Sequence, residues 1–181
     1  MDEKKIYKIL QTWFPVLEQK KIPIKELRRN YSNFVNWLSY KESSDIAHAY
    51  LMALHSQLNH AYILQKSTVF QNSGINLDEI SSRIQARLSP LLEHYEKYQS
   101  VIGRYYSVQE QINDIVMEEI YHAAQLIDYA VLLIHGDESY WLLVPDDDVK
   151  IDKFCLRFNK QFKHEAHHIE HYEPIAQSWS L

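Results

Sequence analysis

The residues best suited to chemistry lie between Lys20 and Lys41. Lys21, Lys25, Arg28, Arg29 and Lys41 are interleaved there with Tyr31, Phe34, Trp37 and Tyr40, and Asn30, Asn33 and Asn36 add amide groups. Cations neutralise phosphates and flat rings stack on exposed bases, so this mixture points to nucleic acid or nucleotides. A helix starting near Ile24 would place Lys25, Arg29, Asn33, Asn36 and Tyr40 along one strip, opposite Leu27, Tyr31, Phe34 and Leu38. Lys21, Lys25, Arg28 and Arg29 would then meet phosphate, with Trp37 or Tyr40 available for stacking. The competing reading is a solvated basic face over an aromatic core, and no helix-turn-helix, RNP or KH signature decides between them.

A second group is the histidine run His164-Glu-Ala-His-His-Ile-Glu-His171. His164, His167, His168 and His171 have spacings that can hold a transition metal on either a helix or a strand. Glu119-x-x-His122 has the spacing used in di-iron helical bundles, but those need a second such motif on another helix, and Glu165-x-x-His168 is the lone counterpart. A polar tail is the plainer reading. His48 and His55 share a helical face around Met52, with His60 nearby, and read as partly buried histidines. Asp146-Asp147-Asp148 lacks the spaced acids and glycine of a calcium loop and reads as a helix cap.

The totals exclude several classes. With only 3 Gly there is no Gly-rich phosphate cradle, and no His-Glu-x-x-His motif is present. The single Cys155 excludes an internal disulfide and a cysteine-based zinc ribbon, and its apolar neighbours predict a small buried hydrophobe. No cofactor is predicted, and a binding protein is expected rather than an enzyme. No signal-peptide pattern opens the chain and no run approaches the length of a membrane span, so a cytoplasmic protein with no membrane contact is expected. The net charge of −5 hides an asymmetry: residues 1–41 hold nine Lys/Arg against four acids, whereas the remainder holds ten against twenty. Such an imbalance marks either an anionic partner for the basic part or attraction between the two parts.

The elements that must position these groups follow from apolar spacing. Ile6, Leu10, Trp13, Phe14 and Leu17 form a helical stripe over 3–21, broken at Pro15. Helices are predicted from Ile24 to Leu38, over 46–65, and from Leu77 past a kink at Pro90, after the capping box Asn76-Leu-Asp-Glu79. Residues 67–75 read as a loop. A central helix follows Ser107-Val-Gln-Glu110, with Ile112, Val116, Ile120 and Ala123 inward. Its period then changes to a hairpin: Tyr129–Ile134, a turn at His135–Ser139, and Tyr140–Val144. A helix over about 149–163 and a third strand within His164–Tyr172 complete the chain.

The predicted fold is therefore α+β and mainly helical, one domain over 1–181. Its helical part covers about 1–128, and its α+β part, with a small antiparallel sheet, covers about 129–181. The 13 Tyr and 4 Trp suggest a homodimer through aromatic interface residues. The leading expectation is a nucleic-acid-binding or nucleotide-binding protein. The alternative is a protein–protein interaction or inhibitor-type module using the acids Asp137, Glu138, Asp146, Asp147, Asp148 and Asp152. A metal-dependent enzyme is third.

Overall fold

Strand β4 (Tyr129–His135) is apolar on both faces because both faces are covered. The computed structural model describes residues 3–41, 47–48, 50–54, 62–102 and 108–174, with backbone alone at 40, 41, 47, 48 and 99–102. Within them β4 pairs antiparallel with β5 (Tyr140–Pro145) as a hairpin and, on its other edge, with β6 (His168–His171). Strand β3 (Leu51–Ala53) pairs with β5, which gives a four-stranded antiparallel sheet in the order β3-β5-β4-β6. The fold is mainly helical α+β, with the sheet as its middle layer.

Strand alternation sends residues to opposite faces. Ala130, Leu132, Ile134, Leu142 and Val144 pack into one core with α1 (Lys4–Trp13), α2 (Tyr31–Leu38) and α6 (Asp148–Gln161). Val131, Leu133, Trp141 and Leu143 pack into a second core with α3 (Thr68–Gln71), α4 (Leu77–Ile102) and α5 (Val108–Gln125). The first core is aromatic: Tyr7 meets Trp37 edge-on at 4.9 Å, and Phe34 contacts Phe158 and Phe162 at 5.3 and 5.4 Å. Of the rings that suggested a dimer interface, Tyr7, Tyr31, Tyr50, Trp13, Trp37 and Trp141 are buried inside the fold.

Several local predictions hold. Asn76 caps α4 by accepting from the Glu79 N–H at 3.2 Å, and Asp147 caps α6 by accepting from the Lys150 N–H at 3.1 Å. The tail supplies the third strand next to the hairpin. Trp13 ends α1, and Pro15 opens a 3₁₀ turn over Pro15–Leu17, whereas Pro90 sits inside α4 without ending it.

Others need correction. Residues 46–65 are not one helix: β2 (Ala47–His48) forms a strand paired with β1 (Tyr40–Lys41), and 51–53 join the sheet edge, where ladder bonds override the local period. His55 and His60, like Ser107 of the predicted cap, lie outside the described residues. The presumed loop 67–75 contains the short helix α3. The helix expected from Ile24 starts only at Tyr31. Residues 25–29 are turns, and Asn30 adopts an extended backbone (ψ 123°) while its side chain accepts from the Asn33 N–H at 2.9 Å. An asparagine that satisfies a free helical N–H sets a helix start, not an interior. Glu165, 134 residues later, accepts from the Tyr31 N–H at 2.9 Å and fixes the same start.

Candidate anion-binding surface

The late start of α2 breaks up the basic strip that the sequence suggested. Lys25 and Arg29 belong to the turns and Asn33 and Asn36 to the helix, so they share no common axis. Trp37 is 5% exposed, and its indole N–H donates to the Lys21 carbonyl at 3.0 Å, so it cannot serve as a stacking platform. Arg28 donates from Nε to the Pro23 carbonyl at 2.7 Å, which holds the turn. Arg29 is paired with the buried Glu3 at 2.7 Å. Lys21 and Lys25 are exposed. The side chains of Tyr40 and Lys41 lie outside the described residues.

A different cationic cluster is assembled by packing. Helices α1 and α6 lie against each other and run antiparallel: Tyr7 and Gln161 both donate to the Arg28 carbonyl, and Trp13 meets Phe154 at 5.1 Å. Between them lies a groove of about 280 Å³ lined by Lys5, Lys8, Ile9 and Thr12 of α1 and by Lys150, Lys153 and Arg157 of α6. Lys150 is paired with Asp147 at 3.0 Å, and this contact holds the Asp147 carboxyl below its usual range. Among the described residues Lys5, Lys8, Lys153 and Arg157 have no ion pair.

Helical geometry explains why the groove is so one-sided. At about 100° per residue, Lys150, Lys153 and Arg157 fall on one narrow arc of α6, and Asp148 and Asp152 fall about half a turn away. Lys5, Lys8 and Thr12 repeat the same i, i+3, i+7 spacing on α1. That repeated spacing is present in the sequence, but the α6 cations lie within a remainder of the chain that is acidic overall. Groups packed this way act together on an anion such as a phosphate.

A second cleft, about 510 Å³, opens beyond Pro15. Its lining includes Trp13, Phe14, Tyr50, Asn72, Leu126 and Tyr129. Phe14 stacks on Tyr50 at 4.2 Å, and Leu126 is 71% exposed at its edge. The buried indole N–H of Trp13 has no acceptor among the described residues.

The metal candidates are held otherwise. Glu119 is 4% exposed, and its two carboxylate oxygens accept from Arg83 at 2.6 Å and Arg87 at 2.8 Å, which locks α4 to α5. His122 lies 3.8 Å from Glu118, which Arg87 also engages. His164 sits in an exposed 3₁₀ turn, and His167 stacks on Tyr31 at 3.7 Å. His168 stacks beside His135, which hydrogen-bonds Glu170 at 2.9 Å, and His171 lies on β6. Among the described residues no group of three or more His, Cys, Asp or Glu is placed to hold a metal ion. Burial pushes the Cys155 thiol up to about 11, against a role as nucleophile.

The acids of the interaction-module alternative are divided. Asp137 and Glu138 sit at the turn of the hairpin and Asp146–Asp148 at its other end, with the six residues of β5, about 20 Å, between them. Among the described residues no helix is long and apolar enough to cross a membrane. In comparisons with family models, curated proteins and solved structures, the chain matches none.

Proposed function

We propose that this protein binds nucleic acid, with the groove between α1 and α6 as the phosphate-contacting surface. The observation that carries the reading is the convergence of Lys5, Lys8, Lys150, Lys153 and Arg157 from helices at opposite ends of the sequence, four of them without an ion pair among the described residues. Uncompensated cations at close quarters repel one another, and a polyanion relieves that repulsion while releasing its own counterions. Lys21 and Lys25 add positive charge on the N-terminal side of the same helical layer.

Fluorescence anisotropy with a labelled oligonucleotide at several salt concentrations tests this. Four phosphate contacts predict that log K falls with log salt at a slope of about −3 for a single strand. Lys8→Glu/Lys153→Glu should cut the affinity at least about tenfold and flatten the slope by about half. Lys25→Glu should have a smaller effect. Binding that ignores salt, or that the double reversal leaves unchanged, would overturn the assignment.

A further inference from the structure

We infer that the polymer held by this groove is single-stranded, because a cleft of suitable size lies close to the groove and a free base is what that cleft can take. The inference rests on the groove reading above. A third cavity, about 520 Å³, is lined by Lys8, Gln11, Thr12, Pro15 and Glu18. It shares Lys8 and Thr12 with the groove and Pro15 with the cleft. Glu18 is the acid in its lining. The antiparallel packing of α1 on α6 keeps groove and cleft close: Trp13 follows Thr12 directly, and Asp128, which precedes Tyr129, accepts from the Asp146 N–H at 3.1 Å just before α6 begins.

The cleft has the size of a small-molecule pocket and a matching lining. Tyr129 and Leu126 offer apolar surface at its edge. The Asn72 side-chain amide has no partner among the described residues and can read a base edge. Bases stacked within a duplex present only their edges in the grooves, so they cannot enter a recess of this kind, whereas a single strand can turn a base out onto the exposed Leu126 and the half-buried Tyr129 while its phosphates stay on the lysines. Backbone cations and a base-accepting apolar recess are the two components of single-strand recognition.

The test compares an oligothymidine of about ten nucleotides, within the site size of single-strand binders, with a duplex of equal length. Both are titrated against the parent, Lys8→Glu/Lys153→Glu, and Leu126→Asn/Asn72→Ala, whose changes are at exposed positions and should leave thermal unfolding unaltered. The parent is expected to prefer the single strand. The cleft variant should lose about tenfold on the single strand and nothing on the duplex, the scale of one lost base contact. Thymidine monophosphate should compete poorly, because it cannot reach groove and cleft together. Equal parental binding of both probes, an unchanged ratio in the cleft variant, or competition by the mononucleotide as strong as by the oligomer would each overturn the single-strand inference. In all three cases the groove assignment survives if the lysine reversal still abolishes binding. If that reversal changes neither probe, the groove assignment itself falls.

Discussion

Removing the two arginines that clamp Glu119 should reverse the sign of this residue's contribution to stability. In the native protein its carboxylate is 5% exposed and fully engaged, with Oε2 accepting from Arg83 and Oε1 from Arg87. Burial alone would raise its pKa, but the hydrogen bonds and charges of Arg87 and Arg83 outweigh burial and hold it below the usual carboxylate range. A folded value below the unfolded one means that the unfolded chain takes up the proton first. The stabilisation is therefore complete above the ordinary value of 4.5 and is lost as pH falls through the depressed folded value. In Arg83→Met/Arg87→Met only burial remains, the folded value lies above the unfolded one, and stability should instead decline as pH rises through the carboxylate range. Stranding a buried carboxylate costs about 3–5 kcal/mol when its partner is also buried. The arginine side chains here are 45% and 35% exposed, so water can partly replace them and about 2–3 kcal/mol is the better figure. For a chain of 181 residues that corresponds to a Tm lower by roughly 4–12 °C at pH 7. Thermal unfolding by circular dichroism between pH 4 and 8 measures both effects, and Glu119→Gln added to the double variant should restore part of the loss at neutral pH. A Tm within about 2 °C of the parent, or the parental pH trend in the variant, would refute the clamp.

Two further predictions concern the other sheet edge and α6. In Gly136→Ala the new Cβ would stand 2.3 Å from His167 Nδ1 and 2.7 Å from its Cε1, so the ring must leave its stack on Tyr31. A loss of about 1–2 kcal/mol is expected by chemical denaturation, partly relieved in Gly136→Ala/His167→Ala, and an unchanged midpoint would show that the ring moves freely. Cys155, with its thiol pushed up to about 11 by burial first and by Asp152 second, should react with a thiol reagent at pH 8 more than about tenfold slower folded than unfolded. Equal rates would mean that this side of α6 does not pack on the sheet.

Local signals gave away most of the elements, and long-range pairing decided the rest. Asn76, Pro15 and the change of period near Asp128 mark boundaries through interactions within a few residues, and these are where prediction and structure agree. Leu51–Ala53 has no such mark. It is a strand because the free edge of β5 lies there, with Leu54 donating to the Ser139 carbonyl at 2.8 Å, 85 residues away. The start of α2 was readable in Asn30-x-x-Asn33, but an apolar stripe running through Ile24 and Leu27 suggested a longer helix. Those two residues are 57% and 45% exposed, so the stripe was only partly a core signal. Trp37 looked available because it stood among cations. Its burial depends on Tyr7 and on the Lys21 carbonyl, which sequence spacing does not place beside it.

Net charge misleads about this molecule for the same reason. A total of −5 argues against a polyanionic partner only if charge is spread evenly, and the fold sorts it instead. On α6 the core residues Ile151, Phe154 and Phe158 fix which way the helix faces. That orientation turns Lys150, Lys153 and Arg157 toward α1 and leaves Asp148 and Asp152 about half a turn away. On α1, burial of Ile6, Leu10 and Trp13 similarly presents Lys5, Lys8 and Thr12 to α6. At physiological salt, exposed charges beyond about 8 Å are largely screened, so a ligand in the groove responds chiefly to the cations lining it. The hydrophobic stripes thus do two jobs at once. They build the aromatic core beneath the sheet, and by fixing the rotation of two helices they bring two cations of α1 and three of α6 into one surface that neither segment carries alone.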